Sequence, residues 1–275
     1  DAMRQNERRI RIAIAGVGNC ASSLLQGIEY YGRPASGDGV GLMHLEMGGW
    51  RPGDVEVVAA FDVDRRRVGL ALHEAAFAAP NCTTAIASGL RESAVLVQMG
   101  PVHDGVAPHM ADYPEEQAFR VADEPAVDVA KVLQESGAEI LVSYLPVGSQ
   151  KAVSAYAEAC LSTGVSFVNC VPVFIVSDPV WGDRFRAAGI PCAGDDIKSQ
   201  LGATILHRML ARLFVDRGVR IDRTYQLNTG GNTDFLNMLS RERLQSKKIS
   251  KTEAVTSQLP YDAGGSTVHI GPSDY

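Results

Sequence analysis

No stretch of the chain approaches the roughly 20 consecutive apolar residues that a membrane-spanning helix needs, so no such helix is expected. Cysteine is scarce: the five thiols are Cys20, Cys82, Cys160, Cys170 and Cys192. No two of them lie at the close spacing of a zinc or redox motif. An odd number without a pattern excludes a disulfide scaffold and fits reduced, mostly buried thiols in a reducing compartment. Positive charge is in deficit, with 26 basic against 32 acidic side chains and a net charge of −6. That is the wrong sign for a general binder of nucleic acid or of an anionic membrane surface. The polar segment Asp1 to Arg9 lacks the apolar core of a signal peptide, so a cytoplasmic location is expected. There is no Met at position 1, and Gly271-Pro272-Ser273-Asp274-Tyr275 does not read as a natural stop, so the chain reads as a piece of something longer. Low-complexity tracts are absent too. What remains is 275 residues, 45% hydrophobic and 21% charged, an ordinary globular composition for one large domain or two small ones.

The apolar run Ile10 to Ala15 ends in glycine, and a helical pattern follows from Asn19 to Tyr31. Residues 32–54 are rich in Gly and read as a loop insertion before a second strand, Asp54 to Phe61, that ends at Asp62. Arg65 to Phe77 reads as a helix whose arginines form a solvated face, and Ala94 to Val97 as a third strand. From residue 125 helices alternate with strands: Pro125 to Ser136, Glu139 to Ser143, Gln150 to Ser162, Val165 to Asn169, Asp178 to Ala188 and Ile190 to Ala193. Glycines 137, 164 and 189 close the three helices. Regular βα alternation predicts an α/β fold, a doubly wound parallel sheet with a Rossmann dinucleotide domain over residues 1–198. Residues 199–275 form a second, α+β region: a helix from Ser199 to Val215, a strand from Val219 to Leu227, a helix from Asp234 to Leu244 and a short strand from Thr267 to Ile270.

Gly16-Val17-Gly18-Asn19-Cys20-Ala21 is G-x-G-x-x-A placed after a strand and opening a helix. Glycine at the first two sites permits the tight turn and close approach of a pyrophosphate, and the helix N-terminus offers N–H groups to it. Asp62 then stands where an acid accepts from the adenosine ribose, which favours NAD over NADP; Arg65, Arg66 and Arg67 are a counter-signal for a 2′-phosphate. Ser143-Tyr144-Leu145-Pro146 ends the fourth strand, at the carboxyl edge where open α/β sheets bind ligands. Asp195, Asp196 and Lys198 lie at another such crossing, where they read either as ligands of a polyol or nicotinamide amide or as a helix cap. Asn228 to Asp234 is dense in turn formers. Lys247 and Lys251 share a face if their segment is helical, and such ammonium groups bind phosphate, stabilise an enolate or act as a base, although a lysine run is commonly just solvated.

Taken together, GVGNCAS at Gly16 to Ser22, FDVD at Phe61 to Asp64, SYLPVGS at Ser143 to Ser149, GDDIKS at Gly194 to Ser199, GGNTD at Gly230 to Asp234, SKKISK at Ser246 to Lys251 and HIGPSD at His269 to Asp274 resemble the inositol-1-phosphate synthase (inositol-3-phosphate synthase) family, in its actinobacterial and archaeal form. The resemblance runs in order along nearly the whole chain. It implies conversion of glucose 6-phosphate to inositol phosphate on a catalytic NAD: oxidation at C5, enolisation at C6, intramolecular aldol closure onto C1 and re-reduction. It implies phosphate-binding and enolate-stabilising roles for Lys247 and Lys251, with Lys248 beside them. Asp196 and Lys198 go near the nicotinamide, and Asn232 and Asp234 near the sugar or the lysines. Asp274 matches an active-site acid. Gly16, Val17, Gly18, Asn19, Cys20, Ala21, Ser22, Asp62, Ser143, Tyr144, Leu145, Pro146 and Asp195 become the cofactor-binding set. The resemblance also implies a homotetramer, leaves room for a divalent or monovalent cation without naming its ligands, and implies a family chain that continues past HIGPSD, so that the second region reads as truncated. Two other readings compete: an NAD-dependent dehydrogenase of polyols or semialdehydes, and an inactive NAD-binding fragment.

Overall fold

The computed structural model describes residues 9–33, 39–87, 89–264 and 267–274, with side chains to Gly271 in the last segment. Six parallel strands form the main sheet: β1 (Ile10–Ala15), β2 (Val55–Asp62), β3 (Val97–Met99), β4 (Ile140–Ser143), β5 (Ser166–Asn169) and β6 (Cys192–Ala193). Their order across the sheet is β3-β2-β1-β4-β5-β6, the order of a doubly wound dinucleotide fold, with its switch point between β1 and β4. The helices are α1 (Asn19–Gly32), α2 (Leu72–Ala75), α3 (Val129–Ser136), α4 (Gln150–Thr163) and α5 (Pro179–Ala188).

Alternation along β1 explains the two cores. Ile12 and Ile14 face α1 and α2 in one cluster with Ala21, Leu72 and Ala75. Ala13 and Ala15 face the other way, toward Leu133, Val153, Tyr156 and Phe185. Successive strand residues point to opposite faces, so the apolar run Ile12 to Ala15 is covered on both sides.

Several expected boundaries move, each for a visible reason. Arg65 to Phe77 is mostly turn, and only Leu72–Ala75 is helical. The Asp64 carboxylate accepts the Arg66 N–H at 2.9 Å, Gly69 takes a φ of +84°, and its N–H donates to Val97 at 2.8 Å. The backbone that would have propagated a helix is thus spent on β3. Nor are the arginines one solvated face, since Arg67 is only 1% exposed. Helix α3 starts at Val129 rather than Pro125, because Val127 donates to Met99 at 2.9 Å and Asp128 caps the helix through the Lys131 N–H. The third strand lies slightly later than expected. Residues 39–51 hold no helix or strand, as expected of the insertion. Two of the five thiols, Cys20 and Cys82, are exposed rather than buried.

The second region packs α6 (Ala203–Asp216) and α8 (Gln245–Thr256) against a separate two-stranded parallel sheet of β7 (Thr224–Thr229) and β8 (Val268–Asp274). Its core is Ala211, Ile221, Val255, Val268 and Ile270. The helix expected over Asp234 to Leu244 is a single turn, α7 (Thr233–Asn237), capped by Asn232. The lysine run instead lies inside α8, so Lys247 and Lys251 do share a helix face. Arg243, just before α8, ties the region to the loop after β4: it donates to the Val147 carbonyl at 3.0 Å, the Asp104 carbonyl at 2.7 Å and Ser149 Oγ at 3.2 Å.

Candidate active site

The carboxyl edge of the main sheet and the lysine face of α8 enclose a cavity of about 570 Å³. On the sheet side it begins at the glycine loop. Gly16 has a φ of +93°, and a Cβ there would stand 2.8 Å from the Tyr144 carbonyl oxygen. Tyr144 is held in place by its own N–H, which donates to Ala15 at 2.7 Å. Around a Cβ built on Gly18, by contrast, nothing lies within 4 Å, and Gly18, Asn19 and Cys20 line the cavity. No side chain caps the start of α1, so its first-turn N–H groups lack intrahelical acceptors and are left for a ligand. A cradle that a Cβ at Gly18 would fill, over an uncapped helix start, fits a dinucleotide pyrophosphate.

A strap from Asn81 to Ala87 secures this helix start. Asn19 Oδ1 accepts the Cys82 N–H at 3.0 Å, and Thr83 Oγ1 donates to the Asn19 carbonyl at 3.2 Å. Gln26, buried on α1, accepts the Ile86 N–H at 2.6 Å and donates to the Thr84 carbonyl at 3.2 Å.

The other expected cofactor residues divide. Tyr144, Leu145 and Pro146 line the cavity, opposite Lys247 and Lys251. Val17, Ala21, Ser22 and Ser143 are buried in the fold instead, where they build the loop rather than face a ligand. Asp62 lies beside a smaller pocket with Gly16, Gly18 and Arg67. Its Oδ2 accepts the Val17 N–H at 2.7 Å, and its Oδ1 accepts Val63 at 2.7 Å and Asp64 at 2.8 Å. Three of about four acceptor positions are therefore already occupied by the loop it pins. Asp195 turns away from the cavity: its carboxylate accepts from Ile175, Val176 and Ser177 N–H groups at 3.0, 3.1 and 2.9 Å and from Asn169 Nδ2 at 2.7 Å. It shapes the loop after β5 and is not placed to touch a cofactor.

On the far side, Asp196, Lys198, Asn232, Asp234, Lys247 and Lys251 come together on the cavity wall. Asp196 sits at φ +66°. Its Oδ2 accepts from Lys198 Nζ and, at 2.5 Å, from Ser250 Oγ, while Lys198 Nζ also donates to Ser250 at 2.6 Å. Lys247 Nζ donates to Asp234 Oδ2 at 3.2 Å. Lys251 has no such partner among the described residues: burial first, then the neighbouring Lys247 charge, push its ammonium down to about 8. Cys20, exposed toward the cavity, is held above the ordinary thiol range by desolvation among the surrounding walls and by the Asp234 carboxylate, which leaves it a poor nucleophile. Lys248 is exposed on the outer face of α8. The backbone of Asp274 pairs with Thr229; its side chain lies outside the described residues.

Sequence reasoning missed six contributors. Cys170, Val171 and Pro172 follow β5 at the same sheet edge as Ser143 to Pro146, and the rule that located one could have located the other. Asn228 lines the cavity with a buried Nδ2 that has no hydrogen-bond partner among the described residues. Ser250 was hidden inside the lysine motif, and Arg67 inside an arginine run. Among the described residues no group of three or more His, Cys, Asp or Glu side chains is placed to hold a metal ion, and no helix is long and apolar enough to cross a membrane.

Comparison with known proteins gives concordant matches. Residues 202–275 match the family described as myo-inositol-1-phosphate synthase. The chain is 54% identical to an inositol-3-phosphate synthase of Mycolicibacterium smegmatis over 99% of its own length and 75% of the relative's. It is 53% identical to that of Corynebacterium glutamicum over 97% and 73% of the two lengths. Among solved structures it superposes on Ari2 with a TM-score of 0.74 at 35% identity, covering 97% of this chain and 71% of that one. A myo-inositol-1-phosphate synthase-related protein from Thermotoga maritima, 21% identical over 98% of this chain and 74% of that one, shares the fold with a TM-score of 0.70.

Proposed function

The chain belongs to the inositol-phosphate synthase family, and from that premise we propose that the cavity between the glycine loop and α8 is where glucose 6-phosphate is turned into a myo-inositol phosphate. The family's reaction oxidises the sugar, enolises it, closes it in an intramolecular aldol step and reduces it again. The observation that carries the reading is the meeting of Lys247, Lys251, Asp196, Lys198, Asn232 and Asp234 opposite an open dinucleotide cradle.

NAD, when bound, supplies the reversible two-electron oxidation of a sugar carbinol. Gly18, the N–H groups of Asn19 and Cys20, and the edge at Tyr144, Leu145 and Pro146 would hold it; Gly16 and Asp62 shape that loop, and the one acceptor position left on Asp62 is available to a ribose hydroxyl. On the substrate side, Lys247, paired with Asp234 at 3.2 Å, meets the developing enolate oxygen or the phosphate. Lys251, lowered toward neutrality, takes the proton from carbon. Lys198 offers polar hydrogens and Asp196, to which Lys198 and Ser250 donate, offers acceptor oxygens to the sugar hydroxyls, and the Asn228 amide offers another donor. Clamping both ends of an open-chain sugar is what intramolecular carbon–carbon closure requires. A cation remains an addition whose signature would be loss of turnover under chelation.

The test is incubation with glucose 6-phosphate and NAD, followed by phosphorus NMR and NADH absorbance. Inositol phosphate without net NADH supports the synthase. Net NADH would indicate a polyol or semialdehyde dehydrogenase, and NAD binding without turnover an inactive fragment.

The two glycines should separate cofactor binding from folding. Gly16→Ala forces a side chain against backbone at positive φ and is expected to cost about 2 kcal/mol or more in thermal unfolding. A Cβ at Gly18 has nothing within 4 Å, so Gly18→Ala should hold its melting temperature while NAD affinity falls about tenfold or more. Equal effects of the two would remove the cradle assignment.

We divide the chain at residue 198, because α6, α8, β7 and β8 keep a core of their own. Leu206, Met209, Leu210 and Leu213 stand exposed on α6, which supports the proposed homotetramer; light scattering on the eluted protein checks it. A cytoplasmic location is proposed on the dinucleotide chemistry and the reduced thiols.

A further inference from the structure

The two sides of the cavity come from different parts of the chain. The cofactor cradle stands on the main sheet, whereas Lys247 and Lys251 stand on α8 of the second region. Proton transfer from carbon requires such groups to be held within about 0.5 Å of the productive geometry. Lys247 does not tie the two sides together, since its bond runs to Asp234 on α7, in its own region. Arg243 anchors the chain before α8 begins, but not beside the lysines.

Ser250 bridges the gap. It directly precedes Lys251 and stands three positions after Lys247, so it flanks the lysine face of α8. Its Oγ donates to Asp196 Oδ2 at 2.5 Å and accepts from Lys198 Nζ at 2.6 Å, while Lys198 also donates to Asp196. The loop that carries these partners belongs to the sheet side. The Asp196 N–H donates to the Val171 carbonyl at 3.2 Å and the Ile197 N–H to the Cys170 carbonyl at 3.1 Å, both just past β5. A serine hydroxyl has one hydrogen to give and lone pairs to receive. Here the hydrogen goes to a carboxylate and a lone pair takes an ammonium, so both bonds are of the stronger, charge-assisted kind. Asp196 and Lys198 are bonded to each other as well, so their charges would stay paired without the serine. What the serine adds is the connection to α8.

We propose that Ser250 is a positioning residue of the reaction: by bonding α8 to the Asp196–Lys198 loop, it sets where Lys251 stands relative to the carbon that it deprotonates. This rests on the reading of Lys251 as the base of a synthase site. Ser250 acts through the helix and not by touching the sugar.

The experiment compares the purified chain with Ser250→Ala and Ser250→Thr. It measures kcat and KM for glucose 6-phosphate by phosphorus NMR, deuterium isotope effects with substrate labelled at C5 or at C6, NADH affinity and melting temperature. Alanine is the best helix former, so Ser250→Ala should melt within a few degrees of the wild type and bind NADH within about twofold. Its kcat is expected to fall about 10- to 100-fold, with KM changed by less than about threefold. The C6 isotope effect on kcat should be at least as large as in the wild type, because enolisation becomes the slower step. Ser250→Thr keeps the hydroxyl and should restore most of the loss. An unchanged kcat in Ser250→Ala overturns the assignment, as does a threonine variant no better than alanine. A loss carried by KM or by NADH affinity overturns it too, and would mark a packing role. A C5 isotope effect that grows in Ser250→Ala would place the disturbed step at hydride transfer and take the role away from Lys251. If Ser250→Ala does not fold, Ser250→Cys, close in size but only a weak donor, decides by the same comparison. A wild-type chain that makes no inositol phosphate removes the synthase reading itself, and this assignment with it.

Discussion

Replacing Lys251 by alanine is expected to lower turnover about 10²- to 10⁴-fold, the usual loss on removing a positioned proton-transfer group, with NAD affinity and melting temperature little changed. The argument rests on the difference between two lysines one helical turn apart. Lys247 donates to Asp234 at 3.2 Å. Lys251 is desolvated and repelled by Lys247, which brings it down to about 8. A base works in its neutral form, so kcat/KM should rise with pH and level off above about 8. The sign is diagnostic. A lysine needed as the charged partner of phosphate would give the opposite profile, falling through the same region, and that result would move the base elsewhere. A second variant sharpens the test. Lys247→Met removes the like charge and frees Asp234, both of which favour the Lys251 ammonium, so the rising limb should move to higher pH. A profile that stays in place would show that Lys251 is not the titrating group.

The path from sequence to fold was direct wherever one local rule decided the outcome. IRIAIA followed by glycines, and glycine closing each of the helices α3, α4 and α5, placed β1 and the later βα units within a few residues. Reading failed where side chains competed for the backbone. Asp64 and Gly69 unwound the helix expected after β2, because their bonds run to Arg66 and to β3, neither of which a periodicity count registers. Likewise the site's residue types were legible but not their directions. The resemblance brought Lys247, Lys251, Asp196 and Asp234 to one place, yet it could not say that the inner and outer faces of α8 would separate Lys251 from Lys248. Nor could it say that Val17 and Ser22 would turn into the core. A buried arginine is legible only after its neighbours are known, since a run of three charges otherwise reads as surface.

The GDDIKS motif makes the same point in energetic terms, and its two acids should fail in different ways. Asp195→Ala is expected to lower stability by about 3–5 kcal/mol, or roughly 10 °C in melting temperature for a chain of this size. The reason is the number of donors on one acceptor: three backbone N–H groups and the buried Asn169 amide all donate to that one carboxylate, and alanine removes all four bonds at once. Asp195→Asn keeps one oxygen and should lose about half as much. Asp196→Ala, by contrast, frees only Lys198 and Ser250, which face the cavity and can turn to water, so its melting temperature should change by only a few degrees while turnover collapses. Thermal denaturation beside a phosphorus NMR assay of the two variants reads both quantities. If Asp195→Ala melted with the wild type, its carboxylate would be free for a ligand after all, and the division of the motif into a scaffolding acid and a chemical one would fall.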